Sequence, residues 1–91
     1  MIIRAGAGTD TIDGAHAKSK QVILANCPGK NAHAVAELAM GLILSIDRRI
    51  SEGHMLLKNG KWEKGMFASC KGIYGRTLGI VGLGAIGKLV C

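Results

Sequence analysis

The strongest pattern of apolar and polar positions lies in the middle of the chain, between residues 31 and 50. Apolar side chains recur there at every third or fourth position, namely Val35, Leu38, Ala39, Leu42, Ile43, Ile46 and Ile50. This spacing predicts an amphipathic α-helix that begins near Asn31, a residue type suited to capping a helix N-terminus. Met40 and Leu44 widen the apolar stripe, so we expect the first turns to be buried on most sides. The helix can continue to Lys58, where Asn59-Gly60 would end it.

Shorter patterns precede this helix. Ile2–Ile3 ends an apolar run that predicts a strand, and the glycine-containing segment 4–10 predicts a tight loop after it. Asp13 is placed to cap a short helix that reaches roughly Lys20. The run Q-V-I-L-A-N at residues 21–26 predicts a second strand with a buried Val-Ile-Leu centre.

The periodicity weakens between residues 51 and 71, except where the long helix can continue to Lys58. This stretch carries three large apolar side chains, Trp62, Met66 and Phe67, without a clear helical or strand period. We expect an irregular arm whose apolar side chains pack on its own domain or on a partner subunit.

The last apolar run leads into a glycine-rich turn. Leu78–Val81 predicts a buried parallel strand, and G-L-G-A-I-G follows at residues 82–87. A strand, such a turn and a new helix together hold the pyrophosphate of a dinucleotide, because the glycines let backbone N–H groups approach the anion. The chain holds 14 glycines. By spacing alone, a glycine-rich loop of another strand-to-helix connection is therefore an equally good interpretation.

Composition narrows the class of protein. Hydrophobic residues make up 48% of the chain and aromatic residues only 3%, a balance typical of α/β enzymes and unlike that of a disordered protein. The net charge is +6, but the basic residues are scattered, so we expect no nucleic-acid partner. No run is long enough to span a bilayer, Arg4 interrupts any signal-like run, and we expect no membrane partner. The three cysteines form no C-x-x-C pair, which favours reduced thiols and a cytoplasmic location.

One pair of residues raises the question of a metal. His33 and Glu37 stand four positions apart on one face of the predicted long helix. A local hydrogen bond or ion pair is the better interpretation, because no third ligand is placed nearby, and we predict no metal site. A carboxylate on so apolar a helix is expected to have a hydrogen-bond partner.

Four segments carry a resemblance to a known family. They are R-A-G-A-G-T-D-T-I-D from residue 4, N-C-P-G-K-N-A-H-A-V-A-E-L from residue 26, K-N-G-K-W from residue 58, and G-R-T-L-G-I-V-G-L-G-A-I-G from residue 75. In this order and spacing they resemble the D-isomer specific 2-hydroxyacid dehydrogenases, most closely the phosphoglycerate-oxidising branch that serves serine biosynthesis. The alternatives are a glyoxylate or hydroxypyruvate reductase and an NAD-sensing corepressor of the same fold. Thr11 departs from the asparagine usual in the family, which concerns only local hydrogen bonding.

The resemblance implies roles for particular residues. Ala7, Gly8 and Asn31 are expected at the substrate, with Ala7 also beside the nicotinamide. The cofactor, NAD with NADP as an alternative, is expected on Gly82, Gly84, Ala85, Ile86 and Gly87. The catalytic histidine, its acidic partner and the substrate arginine are expected beyond Cys91, so none of the histidines present is nominated.

The resemblance also implies an architecture. The family has two doubly wound, Rossmann-like α/β domains with the active site between them. Residues 1–29 are expected to close the substrate domain, and residues 30–91 to supply the interdomain helix, the arm and the first strand and glycine turn of the NAD-binding domain. The chain is then an internal segment, inactive alone, of a cytoplasmic homodimer that acts on a small 2-hydroxy or 2-oxo acid.

Overall fold

The computed structural model describes all 91 residues of the chain. Two strands and four α-helices are formed, together with one 3-10 turn in the arm at Lys64–Phe67. In chain order they are β1 (Ile2–Ile3), α1 (Gly14–Ser19), β2 (Leu24–Ala25), α2 (Ala32–Asp47), α3 (Ile50–Lys58) and α4 (Gly87–Val90). Among these elements, β1, α1 and β2 form one packed group, and α2 with α3 and α4 forms another.

The first group is a small βαβ unit. Strands β1 and β2 pair in parallel with Ile2 opposite Leu24, and α1 connects them. The predicted cap is confirmed, because Asp13 Oδ1 accepts a hydrogen bond from the His16 N–H at 2.8 Å. The second strand is shorter than expected. The Val22 N–H bonds back to the carbonyl of α1 at Ala17, which keeps the start of the run in the helix terminus rather than in the sheet.

The long helix is confirmed in position but ends earlier than predicted. Asn31 occupies its N-cap position, although its side chain makes no capping hydrogen bond. The helix ends at Asp47 because Arg49 adopts a left-handed conformation with φ of 52°, and α3 begins at the next residue. The predicted end at Asn59-Gly60 is confirmed, with Gly60 at a φ of 70°.

The expectation that the first turns of α2 are buried on most sides is wrong. Only Ala17, Ala32 and Ala36 are buried in the whole chain, and Leu38 on α2 is 61% exposed. The radius of gyration is 19.9 Å, whereas a compact chain of this length would have one of about 12 Å. The few elements present cannot cover the apolar face of α2. No helix is both long and apolar enough to span a membrane.

The strand predicted at Leu78–Val81 is not formed. No backbone N–H or carbonyl of these residues takes part in a hydrogen bond within the chain. A strand exists only as part of a ladder, and the sheet here consists of β1 and β2 alone. The segment is therefore an extended connection, in which Val81 is fully exposed.

Candidate functional site

The glycine turn at residues 82–87 has a backbone that other residue types could not reproduce. Gly82 has a φ of +103°, a conformation that L-residues with a side chain rarely adopt. The turn then folds back so tightly that a Cβ on Gly87 would overlap the carbonyl oxygen of Gly82. Both glycines are therefore required by the geometry of the turn.

Gly84 has a different reason to be a glycine. A Cβ built there would meet no atom within 4 Å, so the space in front of its backbone is open. The N–H groups from Gly84 to Gly87 donate to no acceptor in the chain, whereas Lys88 N–H bonds to the Gly84 carbonyl at 3.1 Å. Unpaired N–H groups beside open space form a cradle suited to an anion such as a pyrophosphate. The residues present therefore fit the phosphate portion of a dinucleotide.

The loop at residues 4–10 is held by the segment that follows β2. Asn26 donates from Nδ2 to the carbonyl of Ala7 at 2.7 Å, and the Cys27 N–H donates to the carbonyl of Gly6 at 2.9 Å. Gly8 beside it is exposed and makes no hydrogen bond. The role of Asn26 in holding this loop was not predicted from the sequence. Its position as a polar residue at the end of an apolar run could have indicated a hydrogen bond to a neighbouring segment.

The expected site residues are only partly brought together. Gly82 to Gly87 form one local turn, and Ala7 and Gly8 form one local loop. Asn31 is exposed at the start of α2 and makes no side-chain hydrogen bond. No packing between helices or strands joins the group that carries the loop to the group that carries the turn.

The histidines form no catalytic or metal-binding cluster. No group of three or more His, Cys, Asp or Glu side chains is placed to hold a metal ion. The predicted local bond between His33 and Glu37 is wrong, because neither side chain takes part in any hydrogen bond or ion pair. Glu37 is exposed, so water solvates the carboxylate that was expected to need a partner.

Arg49 contacts the arm, which in the structure comprises residues 59–71 because α3 occupies residues 50–58. Its guanidinium donates two hydrogen bonds of 2.6 Å to the Glu52 carboxylate and one of 2.8 Å to the carbonyl of Met66. It also lies 5.4 Å from the ring centroid of Phe67, within the range of a cation–π contact. The hydrogen bonds to Glu52 raise the pKa of Arg49 above its ordinary value. The arm is therefore attached to the junction between α2 and α3 rather than free.

A groove of about 240 Å³ lies between α3 and the arm, lined by Ile50, Gly53, Leu56, Leu57, Trp62 and Phe67 and rimmed by charged residues. Phe67 is half-buried, whereas Trp62 is 73% exposed. The three apolar side chains of the arm therefore differ: Phe67 packs on its own chain, whereas Met66 is partly exposed and Trp62 is mostly exposed.

An open phosphate cradle, formed where an extended segment turns into a helix, is characteristic of the nucleotide-binding α/β domains. Residues 40–91 match the NAD binding domain of the D-isomer specific 2-hydroxyacid dehydrogenases. The chain belongs to this family, and residues 40–91 match its NAD-binding domain, which is an α/β domain of Rossmann type whose cofactor is NAD.

Individual relatives agree with the family. The chain is 48% identical over 90 residues to a hydroxypyruvate reductase of Thermotoga maritima. It is 43% identical to a D-3-phosphoglycerate dehydrogenase of Methanocaldococcus jannaschii and 40% identical to that of Homo sapiens, over 90 residues in each case. Each match covers 99% of this chain, but only 29% of the first relative and 17% of the other two.

Proposed function

We propose that this chain supplies the NAD-binding turn of an oxidoreductase that acts on the CH–OH group of a D-2-hydroxy acid. The observation that carries the proposal is the turn at residues 82–87, where two glycines are required by the backbone and a third leaves open space beside free N–H groups. NAD, when bound, accepts the hydride from the hydroxy acid.

Within the turn, each residue has a separate part. Gly82 allows the chain to reverse direction because it adopts a positive φ. Gly87 allows the backbone to pass close to the Gly82 carbonyl because it has no Cβ. The N–H groups of Gly84, Ala85 and Ile86 would hold the pyrophosphate, because all three are unpaired and the space beside Gly84 is open. Lys88 is the only charged residue of α4.

Residues of the N-terminal loop form the substrate side of the site. The backbone at Ala7 and Gly8 would line the active site beside the nicotinamide and the substrate carboxylate, and Asn31 would contribute to substrate binding. The hydrogen bond from Asn26 to the Ala7 carbonyl supports this role, because it fixes the loop whose backbone would meet the ligands. Residues 1–29 close the substrate domain and residues 30–91 open the NAD-binding domain. The division agrees with the two separately packed groups of elements.

The preferred substrate is D-3-phosphoglycerate, which places the enzyme in serine biosynthesis. Relatives named D-3-phosphoglycerate dehydrogenase support this choice, and the relative named hydroxypyruvate reductase supports the alternative of a hydroxypyruvate or glyoxylate reductase. Cysteines 27, 70 and 91 are all unpaired, which supports a cytoplasmic location. The assembly is a homodimer whose interface includes the arm, since Trp62 is exposed beside an apolar groove.

The test is a matched pair of glycine substitutions in the longer enzyme of which, under this proposal, the 91 residues are an internal segment. This longer enzyme is called the full-length polypeptide. Gly79 and Gly84 both have open space at the Cβ position and no positive φ, so Val is sterically accepted at either. We expect Gly84→Val to raise the Kd for NAD by about tenfold or more, because the new side chain occupies the phosphate cradle. Gly79→Val is expected to leave it unchanged. Equal affinities in the two variants and the wild type would reject the proposal.

A transplant tests the activity directly. The segment of the Thermotoga maritima hydroxypyruvate reductase that this chain matches is replaced by the present residues. We expect the chimera to retain NAD-dependent turnover, and the same chimera with Gly84→Val to lose it. Assay of the full-length polypeptide on D-3-phosphoglycerate and on hydroxypyruvate then decides between the two substrates.

A further inference from the structure

One ion pair connects the end of α2 to the segment that leads into the glycine turn. Arg76 donates from Nη1 to Asp47 Oδ1 at 2.5 Å across 29 residues, and it also reaches the Gly72 carbonyl at 3.4 Å. The bond from Arg76 to Asp47 is the only hydrogen bond between two side chains that joins distant parts of the chain. The other bonds between side chains span six residues or fewer. The contact is therefore a specific link between two segments that the backbone does not hold together.

The two partners have unequal surroundings. The Asp47 side chain is only 13% exposed, and its second oxygen, Oδ2, is buried without a hydrogen-bond partner. The Arg76 side chain is 59% exposed. Apolar residues surround the pair in a groove of about 350 Å³, among them Met40, Ile43 and Leu78. Because Arg76 is the single side-chain partner of a mostly buried carboxylate, loss of this ion pair would leave the charge of Asp47 unpaired in an apolar setting, which favours the bound position of Arg76.

The segment between Arg76 and α4 has no other attachment at its start. Residues 77–83 make no backbone hydrogen bonds, so no ladder fixes their path. At the far end of the segment, α4 packs against α2. Both ends of the connection that contains the glycine turn are therefore anchored on the same helix, one by packing and one by the ion pair.

We propose that Asp47 and Arg76 are positioning residues for NAD binding, which hold the entry to the glycine turn in a fixed register on α2. The inference rests on the proposed function, because it assigns the pair a role through the turn at residues 82–87. The proposal gives neither side chain a direct contact with the cofactor. The pair acts by limiting the positions of the extended segment, so that the free N–H groups of the turn are aligned before NAD arrives.

The experiment is a double-mutant cycle in the full-length polypeptide, with Asp47→Asn, Arg76→Met and the double variant. Asp47→Asn keeps the shape of the side chain, so the fold is retained. We expect each single variant to raise the Kd for NAD about threefold to tenfold, with kcat within about twofold of the wild type. The double variant should match the singles rather than multiply them, because each residue acts only through the other. Arg76→Lys should recover most of the affinity.

Two controls separate the possible failures. Arg48→Met removes a neighbouring arginine that makes no ion pair, and it should leave the Kd unchanged. Single variants with wild-type affinity, or effects that multiply in the double variant, overturn the positioning role. If Gly84→Val also leaves NAD affinity unchanged, the proposed function itself has failed. If Gly84→Val weakens binding while Asp47→Asn does not, only the present inference is rejected.

Discussion

Gly87 lies directly against the carbonyl oxygen of Gly82, so closely that the two backbones leave no space for a Cβ on Gly87. This contact closes the glycine turn and sets where α4 begins. A Cβ built on Gly87 would also lie 3.5 Å from the Ile80 side chain, so neighbouring atoms limit the space beside Gly87 on two sides.

Gly87→Ala is accordingly expected to destabilise the full-length polypeptide by about 1–3 kcal/mol, the range for an inserted methyl group that forces a backbone shift. Denaturant unfolding without NAD measures the change. The matched control is Gly84→Ala, where the Cβ meets open space, and its effect should remain within about 0.5 kcal/mol. If the two variants are equally stable, the turn does not close as described.

Arg49→Ala is expected to release the arm from α3. The substitution removes the hydrogen bonds to Glu52 and to the Met66 carbonyl together with the contact to Phe67. Limited proteolysis should then cut between residues 59 and 71 several times faster than in the wild type. Arg48→Ala is the control, since the neighbouring arginine makes none of these bonds, and similar cleavage rates in both variants would contradict the assignment.

The same arginine should give no pH dependence near neutrality. The pKa of Arg49 is raised in the folded chain by its hydrogen bonds to Glu52. Its stabilising contribution is therefore complete below the ordinary pKa of an arginine, which lies far above neutrality, and is lost only as the pH rises through the still higher folded value. Protection of the arm from proteolysis, corrected for the activity of the protease, should therefore be constant from about pH 6 to 9. A loss of protection within that window would mean that another group controls the arm.

Trp62→Ala with Phe67→Ala is expected to weaken the proposed homodimer of the full-length polypeptide, with the greater part of the effect due to the exposed Trp62. A buried tryptophan at the centre of an interface commonly contributes about 2 kcal/mol or more, which raises the dimer Kd at least about tenfold. Analytical ultracentrifugation measures the change. Tyr74→Ala, at a fully exposed aromatic residue outside the arm, is the control. A double variant that is still dimeric at nanomolar concentration would show that the arm packs only on its own subunit.

The 91-residue chain expressed by itself should unfold without a cooperative transition and bind a hydrophobic dye. Only three alanines are buried, and large apolar side chains such as Leu38 and Val81 are exposed, so little apolar burial opposes the loss of chain entropy. We also expect no NAD-dependent oxidation of a 2-hydroxy acid, because the proposed substrate loop and the glycine turn lie on element groups that do not pack together. Calorimetry and an absorbance assay test both. A sharp monomeric transition with measurable turnover would contradict them.

The sequence by itself determined the features that depend on neighbouring residues. Asp13 caps α1 because its carboxylate reaches an N–H only three residues away. Asn59-Gly60 ends α3 because glycine accepts a positive φ without steric cost. The sequence also predicted the glycine turn, because each glycine in the motif meets a different geometric requirement. The order of the four motifs then indicated the family, which the domain match confirms.

Tertiary structure decided the features that depend on distant partners. The apolar period continues smoothly across residues 47–50, and nothing local predicts the left-handed Arg49 that divides the helix. Its partner in the arm, the carbonyl of Met66, lies 17 residues away, and Arg76 meets Asp47 across 29. The run at residues 78–81 has the composition of a strand, but a strand needs a neighbour to receive its backbone hydrogen bonds. Local pattern gives the tendency of a segment, and only the contacts it finds in three dimensions determine whether that tendency is realised.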